Sequence, residues 1–474
     1  MRLLSFIYVL SAGMVLIAGA SFGQNDDLKY LRYDTDLLSK DFHKGRREEV
    51  RRQMPDKSVA VFFAAPERNR SNDDNFQYHQ DPNFYYLTGF TESNAMLLIF
   101  KEKQNLAGIQ SYEYLFVQSK DPNKEMWTGR RMGINGAKQL LGIDAVLLNR
   151  DFNGLEIPFQ KFDKVLTLPF PKGIVDDKKD NIDLYDLVEQ FKTKSGYPSD
   201  NNDNVKLSKI MSALREIKQP EEIALMRKAI TMSCDGHIEV MKALKPGMHE
   251  YDAQAIAEYI FKKNGSEYVG YPSICGGGEN ACILHYGSNR RPLSSGDLQL
   301  NDMGAEYHGY SADVTRTIPV NGEFSEEQRA IYSIVKEAQD AGFAACKPGN
   351  DFQDPGKAAT DVIKKGLVRL GITKDENEYR KYFPHGTSHY LGLDVHDAGV
   401  PGNLEAGNVI TVEPGIYIPE GSPCDKKWWN IGVRIEDDIL ITDTGYENLS
   451  AKAPRSIEEI EALMKEKNMF KQSK

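Results

Sequence analysis

An α/β domain followed by an α+β domain built on an internal duplication is the fold class this sequence predicts. Three observations predict it. The chain has 474 residues, more than one ordinary core holds, so two domains are expected. Its first part mixes short apolar runs with polar turns, whereas its second alternates long amphipathic helices with β-branched runs. In that second part a helix pair followed by strands occurs twice. With 40% hydrophobic and 27% charged residues, the composition is that of a folded globular protein. A net charge of -10 leaves no excess of Lys or Arg to neutralise phosphates, which speaks against a nucleic-acid partner.

The elements follow in chain order. Arg2 precedes an apolar run from Leu3 to Ala20, and small residues sit at cleavage spacing in Ala18-Gly19-Ala20 and Ser21-Phe22-Gly23. Residues 1–23 are therefore expected to be an export signal, giving a periplasmic or secreted protein with no membrane association after cleavage. A retained anchor is the alternative, because the run approaches the length of a span. Residues 24–200 are expected to form the α/β domain, with strands at Val59 to Phe63, Ala95 to Phe100 and Tyr112 to Val117. The breaker-rich stretch Ser195 to Asp203 is expected to be the linker.

Residues 201–474 are expected to form the second domain. Pro220 opens a helix carrying Ile223, Met226, Ile230, Ile238 and Met241 at helical spacing, and a second helix runs from Tyr251 to Lys263. Strands fill Tyr271 to Val320. The capping box Ser325-Glu326-Glu327-Gln328 then opens a helix to Ala345. A further helix from Lys357 to Leu370 and strands from Tyr390 to Thr442 complete the second round. Lys245-Pro246-Gly247 and Lys347-Pro348-Gly349 close the corresponding helices of the two rounds. Five cysteines without a C-x-x-C pair read as buried small hydrophobes rather than a disulfide framework.

The strands of this domain carry acids. Asp302 shares a strand face with Leu298 and Leu300, Asp313 lies on the returning strand, and Glu413 ends Val409-Ile410-Thr411-Val412. Arg434 and Glu436 share one face of a strand in Gly432 to Glu436. Carboxylates on buried strands need compensating cations or donors; strand ends pointing into water are the bland alternative. With a histidine from His385 to His389, four carboxylates make a hard, oxygen-rich donor set. That set suits two divalent cations, Mn²⁺ first with Co²⁺, Zn²⁺ or Fe²⁺ as alternatives, and two close metals suit hydrolysis. Gly276-Gly277-Gly278-Glu279 lacks the Lys-Ser/Thr of a phosphate loop.

At Glu279 to Tyr286, Asp302 to Thr317, His385 to Asp397, Val412 to Gly415 and Gly432 to Asp438, the sequence resembles the creatinase-like pita-bread metallopeptidases, in particular the aminopeptidase P type. Asn83 to Phe90 and Trp127 to Arg131 extend the resemblance over nearly the whole chain after residue 23. It implies a pita-bread second domain and a metallo-aminopeptidase that releases the N-terminal residue from small peptides with proline in second position. It further implies that Asp302, Asp313, His389, Glu413 and Glu436 bind two metals, with Asp313 and Glu436 bridging and Glu413 shuttling a proton. His285 and His396 are implied to steady the substrate, and His385, Tyr417 and Arg434 to wall the proline pocket. Met303, where the family carries a smaller residue, is expected to crowd this site, and Asn301 replaces an aliphatic residue. A homo-oligomer, dimer or tetramer, is expected, with aromatics from Phe84 to Tyr86 reaching a neighbouring site. The rivals are a prolidase with the same ligands and a non-catalytic pita-bread binding module.

Overall fold

The protein is described by a computed structural model that covers residues 30–178, 180 and 182–470. The expected export signal at residues 1–23 lies outside the described residues. Among the described residues no helix is long and apolar enough to cross a membrane.

The first domain begins with α1 (Lys40–Gln53), capped by Ser39, whose side chain accepts from the Phe42 amide. The apolar run that follows becomes β1 (Ser58–Phe63), buried at every position because it lies in mid-sheet with both faces covered. Then come the short hairpin β2 (Asn69–Ser71) and β3 (Asp74–Asn75), α2 (Pro82–Thr88), β4 (Met96–Leu106) and β5 (Ile109–Val117). They are followed by α3 (Pro122–Thr128), α4 (Gly133–Leu141), β6 (Val146–Leu148), β7 (Lys164–Thr167), α5 (Leu184–Ser195), β8 (Asn202–Asp203) and α6 (Asn204–Glu216). One mixed sheet results, in the order β6-β5-β4-β1-β7-β8.

Its last strand is where the linker was expected. Asn202 and Asp203 pair with Val165 and Leu166 of β7, and α6 buries Leu207, Ile210, Met211 and Leu214 against the same domain. Ser199 and Asn201 hydrogen-bond locally and to the 159–162 turn, which turns a breaker-rich segment into an ordered corner. The chain crosses at 217–219, just before the next helix. The aromatics at Phe84 to Tyr86 correct another expectation. They are 0–8% exposed, and Tyr86 donates to the Leu214 carbonyl at 2.9 Å, so they fasten this chain to itself and are not available to a neighbour.

The second domain has the expected double round. Helices α7 (Pro220–Ala243) and α8 (Glu250–Lys263) precede β9 (Tyr268–Val269), β10 (Ile274–Gly277), β11 (Leu298–Asp302), β12 (Ala305–Tyr307), β13 (Tyr310–Ser311) and β14 (Thr315–Pro319). Helices α9 (Glu326–Ala345) and α10 (Asp354–Arg369) precede β15 (Val409–Val412), β16 (Gly415–Ile418), β17 (Ile431–Arg434), β18 (Asp437–Ile441) and β19 (Tyr446–Asn448); α11 (Ile457–Leu463) ends the described chain. Helix α10 starts earlier than expected because Pro355 fits its first turn. The two Pro-Gly scraps are structurally equivalent. Gly247 and Gly349 both take left-handed backbone (φ +90° and +88°). Their amides donate to the carbonyls of Leu293 and Leu404 at 2.9 and 2.8 Å, and each turn carries the same kind of isolated bridge, His249 to Pro292 and Asp351 to Asn403.

Helices cover one face of these strands. Met303, Cys275 and Ile318 pack with residues of α7 and α8 in a continuous core. The two-residue strand period sends Leu300 and Asp302 to the opposite face. The two rounds meet where Thr315 bridges Glu436. There the expected single strand through Arg434 and Glu436 breaks: β17 ends at Arg434 and pairs with β16, while β18 starts at Asp437 and pairs with β15.

Candidate active site

A cavity of about 580 Å³ opens where the two rounds meet, and it is lined by Asp302, Asp313, His389, Glu413 and Glu436. Each ligand stands at the end of an element. Asp302 ends β11, Asp313 follows β13, Glu413 follows β15, and Glu436 occupies the break between β17 and β18. His389 leads into the loop before β15, its amide accepted by Thr411 Oγ1 at 3.1 Å. Ligand atoms of Asp313, His389 and Glu436 lie within 4.8 Å of one another. His389 Nε2 is 3.6 Å from Glu413 Oε1. Tyr271 ties in the remaining ligand, donating towards Asp302 Oδ1 at 2.5 Å and Asp313 Oδ1 at 2.6 Å.

The electrostatics show what the donor set calls for. Burial pushes the Glu413 carboxyl up to about 7, with Asp313 and Asp302 adding repulsion. Burial, with Asp313 and Glu413, holds Glu436 well above the carboxylate range. Burial alone would lower His389, but the carboxylates of Asp313 and Glu413 outweigh it and raise the imidazole to about 9. Without a cation, then, the site gathers protons. Its donors are four carboxylates and one imidazole whose Nδ1 is 2.9 Å from the Tyr390 carbonyl, leaving Nε2 towards the acids. This hard, oxygen-rich set fits divalent cations, and Asp302, Asp313, His389, Glu413 and Glu436 would hold them.

The remaining expected residues fall into two groups. His285 and His396 stand exposed at the cavity mouth. His385, Tyr417 and Arg434 form a chain: Arg434 Nη1 donates to the Tyr417 oxygen at 3.0 Å, and Tyr417 meets His385 Nε2 at 2.8 Å. Arg434 Nη2 donates to Asp302 Oδ2 at 2.6 Å, so the guanidinium also fixes a ligand. Tyr417 is buried behind the wall and acts through its hydroxyl. Burial and Arg434 push His385 down to about 4, and burial lowers His396, so both are neutral imidazoles near pH 7. Met303 does not crowd the cavity. It is fully buried on the helix-facing side, its sulfur 3.6 Å from Cys275 Sγ.

Two residues of this site escape sequence reasoning. Tyr271 precedes Pro272 in a loop, and nothing near it in the chain marks it as a partner of Asp302 and Asp313. Asp438 is fully buried, accepts the Asp313 amide at 3.2 Å, and is held well above the carboxylate range by burial and Asp313. Its place directly before the apolar run Ile439 to Ile441, beside Glu436 and Asp437, is the signal that could have found it.

Comparison with known proteins decides what such a site belongs to. The model of metallopeptidase family M24 matches residues 224–443, and the model of the aminopeptidase P N-terminal domain matches residues 43–156. The chain is 38% identical to the Xaa-Pro aminopeptidase of Escherichia coli K12 over 90% of this chain and 98% of the relative. The chain belongs to metallopeptidase family M24, in its aminopeptidase P branch. Human Xaa-Pro aminopeptidase 3 is 34% identical over 88% of this chain and 83% of its own length. Among solved structures, aminopeptidase PepP of Pseudomonas aeruginosa superposes with a TM-score of 0.81 at 36% identity, covering 91% of this chain and 99% of that one. Aminopeptidase P of E. coli with the inhibitor Pro-Leu superposes at 0.80 and 37% identity, covering 90% and 98%. The pita-bread second domain is thereby established, and the protein is a metallo-aminopeptidase that depends on divalent metal.

Proposed function

We propose that the protein is an Xaa-Pro aminopeptidase that releases the first residue of small peptides whose second residue is proline. The observation that carries this is the gathering of five metal-type ligands in one cavity also lined by His385 and Arg434, in a chain that matches Xaa-Pro aminopeptidases over both domains. Asp302, Asp313, His389, Glu413 and Glu436 would hold divalent cations, whose chemistry would be Lewis-acid activation of water and counter-charge for developing negative charge. Glu413, the carboxylate that follows β15, takes and returns the proton. His285 and His396, exposed at the mouth, donate hydrogen bonds to the substrate carbonyl region. His385 and Arg434, held by the Tyr417 hydroxyl behind them, form a wall for the proline ring, which has no N–H to satisfy.

The hard donor set supports Mn²⁺ as the preferred ion. Residues 1–23 support export, which sequencing the N-terminus of the mature protein tests. Self-association is supported by α3, which buries none of its residues and leaves Met126 74% and Trp127 83% exposed; light scattering tests it. For activity, chelator-stripped enzyme is incubated with Ala-Pro-Ala and with Ala-Pro, with and without Mn²⁺, and products are read by mass spectrometry. Mn²⁺-dependent release of Ala from the tripeptide supports the proposal. Cleavage of the dipeptide alone makes the protein a prolidase, and no cleavage with any of Mn²⁺, Co²⁺, Zn²⁺ or Fe²⁺ makes it a binding module.

A further inference from the structure

The segment that carries His396 is clamped by a buried set of charges. Arg215, near the end of α6, and Lys218, in the crossing between domains, meet Asp394 and Asp397, which flank His396 in sequence. Arg215 Nη2 donates to Asp394 Oδ2 at 2.8 Å and to Asp397 Oδ1, while Lys218 Nζ donates to Asp397 Oδ2 at 2.7 Å. Lys218 Nζ also donates to the Arg215 carbonyl at 2.6 Å, and Arg215 Nη1 donates to Asn83 Oδ1 of the first domain at 3.0 Å. The side chains of Arg215, Lys218 and Asp397 are 1–3% exposed.

Three charges taken this far out of water contribute little net stability, because desolvation offsets most of their attraction. What they do is fix a backbone. The loop closes on itself, with the Asp397 amide donating to the Tyr390 carbonyl at 2.9 Å and the Gly392 amide to the Asp394 carbonyl at 3.1 Å. Gly392 leaves room for the carboxylate: a Cβ there would lie 2.2 Å from Asp397 Oδ2. His396 itself makes no hydrogen bond among the described residues. Its ring meets that of His389 edge-on at 4.4 Å. The direction of this imidazole is therefore set by the backbone, and the backbone by the two flanking acids.

We propose that Arg215 and Lys218 are positioning residues, which aim His396 over the cavity through Asp394 and Asp397 and tie that aim to the first domain through Asn83. The proposal rests on His396 meeting the substrate. It predicts that Lys218→Met lowers kcat about 10- to 100-fold with KM little changed, as small misplacements of a catalytic group do. Asn83→Ala, which leaves every charge paired, should give a smaller loss of about 3- to 10-fold of the same kind. Lys218→Arg should restore most of the rate.

A double-mutant cycle on the full-length, metal-loaded enzyme, with tripeptide cleavage as readout, tests it. In a His396→Ala background both substitutions should cost nothing further, whereas in a His285→Ala background their losses should multiply. Losses that also multiply with His396→Ala, or a wild-type kcat in folded Lys218→Met, overturn the proposal. An unchanged kcat in His396→Ala alone removes His396 from the reaction and the proposal with it. Failure of the aminopeptidase reading shows separately, as an inactive wild type. Should Lys218→Met not fold, Asn83→Ala carries the same cycle.

Discussion

Glu413 and His389 hold protons that a divalent cation must displace. Their folded pKa values, about 7 and about 9, lie above those of the unfolded chain, so the metal-free fold binds extra protons. The stability those protons confer is full at mildly acid pH and is lost as pH rises through the two folded values. Metal-free enzyme should therefore melt progressively lower between about pH 5 and pH 9, whereas Mn²⁺-loaded enzyme should hold its melting temperature. Titration calorimetry in buffers of different ionisation enthalpy should register proton release on metal binding at pH 7. A flat melting profile without metal would remove the account. Asp302→Asn keeps the size of the side chain but not its charge; we expect an unchanged circular dichroism spectrum with at least a 1000-fold loss of kcat, on the order expected for a lost electrostatic group. Behind the site, Gln299 and Asn301 bury four side-chain polar atoms that have no partner among the described residues. Gln299→Leu/Asn301→Leu should raise unfolding free energy by about 1–3 kcal/mol, measured by urea denaturation.

Individual elements carry the ligands, and one glycine sets the spacing between two of them. Between β11 and β12 the chain passes Gly304, where a Cβ would lie 1.8 Å from the Ala312 carbonyl oxygen. That close approach brings Asp302 and Asp313 together under Tyr271. Gly304→Ala should force the strands apart, lower stability by about 3 kcal/mol or more and release metal on dialysis, read by elemental analysis; full metal retention would contradict it. The same elements show what a sequence displays. Asp302 and Glu413 were legible because each interrupts a run of apolar or β-branched residues, and the duplicated helix pairs because 3.6-residue periodicity and a capping box are local. Tyr271, Arg215 and Lys218 were not legible, since their partners lie 31 to 182 residues away and nothing local distinguishes them. Met303 was misread because one residue beyond a ligand lies on the other face of the strand. The linker was misread because Asn, Ser and Asp also build ordered corners.

At the scale of the whole molecule, two histidines seat one domain on the other. His79 of the first domain meets both Glu306 oxygens, at 2.8 and 3.0 Å. His308, at the tip of the β12–β13 hairpin, lies 2.6 Å from Glu267 and 3.1 Å from Asp36 of the first domain. Both of its ring nitrogens are thus taken by carboxylates. Burial would lower the His308 pKa, but the two acids outweigh it and raise it. This contribution is full below about pH 6.5 and lost as pH rises through the raised value. Asn tolerates the left-handed backbone there (φ +49°), so His308→Asn should cost about 1–3 kcal/mol below neutrality and less in alkali. A deficit independent of pH would rule out the ion-pair account.

The meeting of the two rounds at Thr315 and Glu436 also sets a timetable. Asp302 and Asp313 emerge from the ribosome more than a hundred residues before Glu436, and on their own they are two of the five donors that would hold two cations. A chain stalled before His389 has only those two donors, and one stalled before Glu436 still lacks a member of the full set. The complete donor set therefore exists only once both rounds have been translated, so a truncated product and a finished one differ in the site itself.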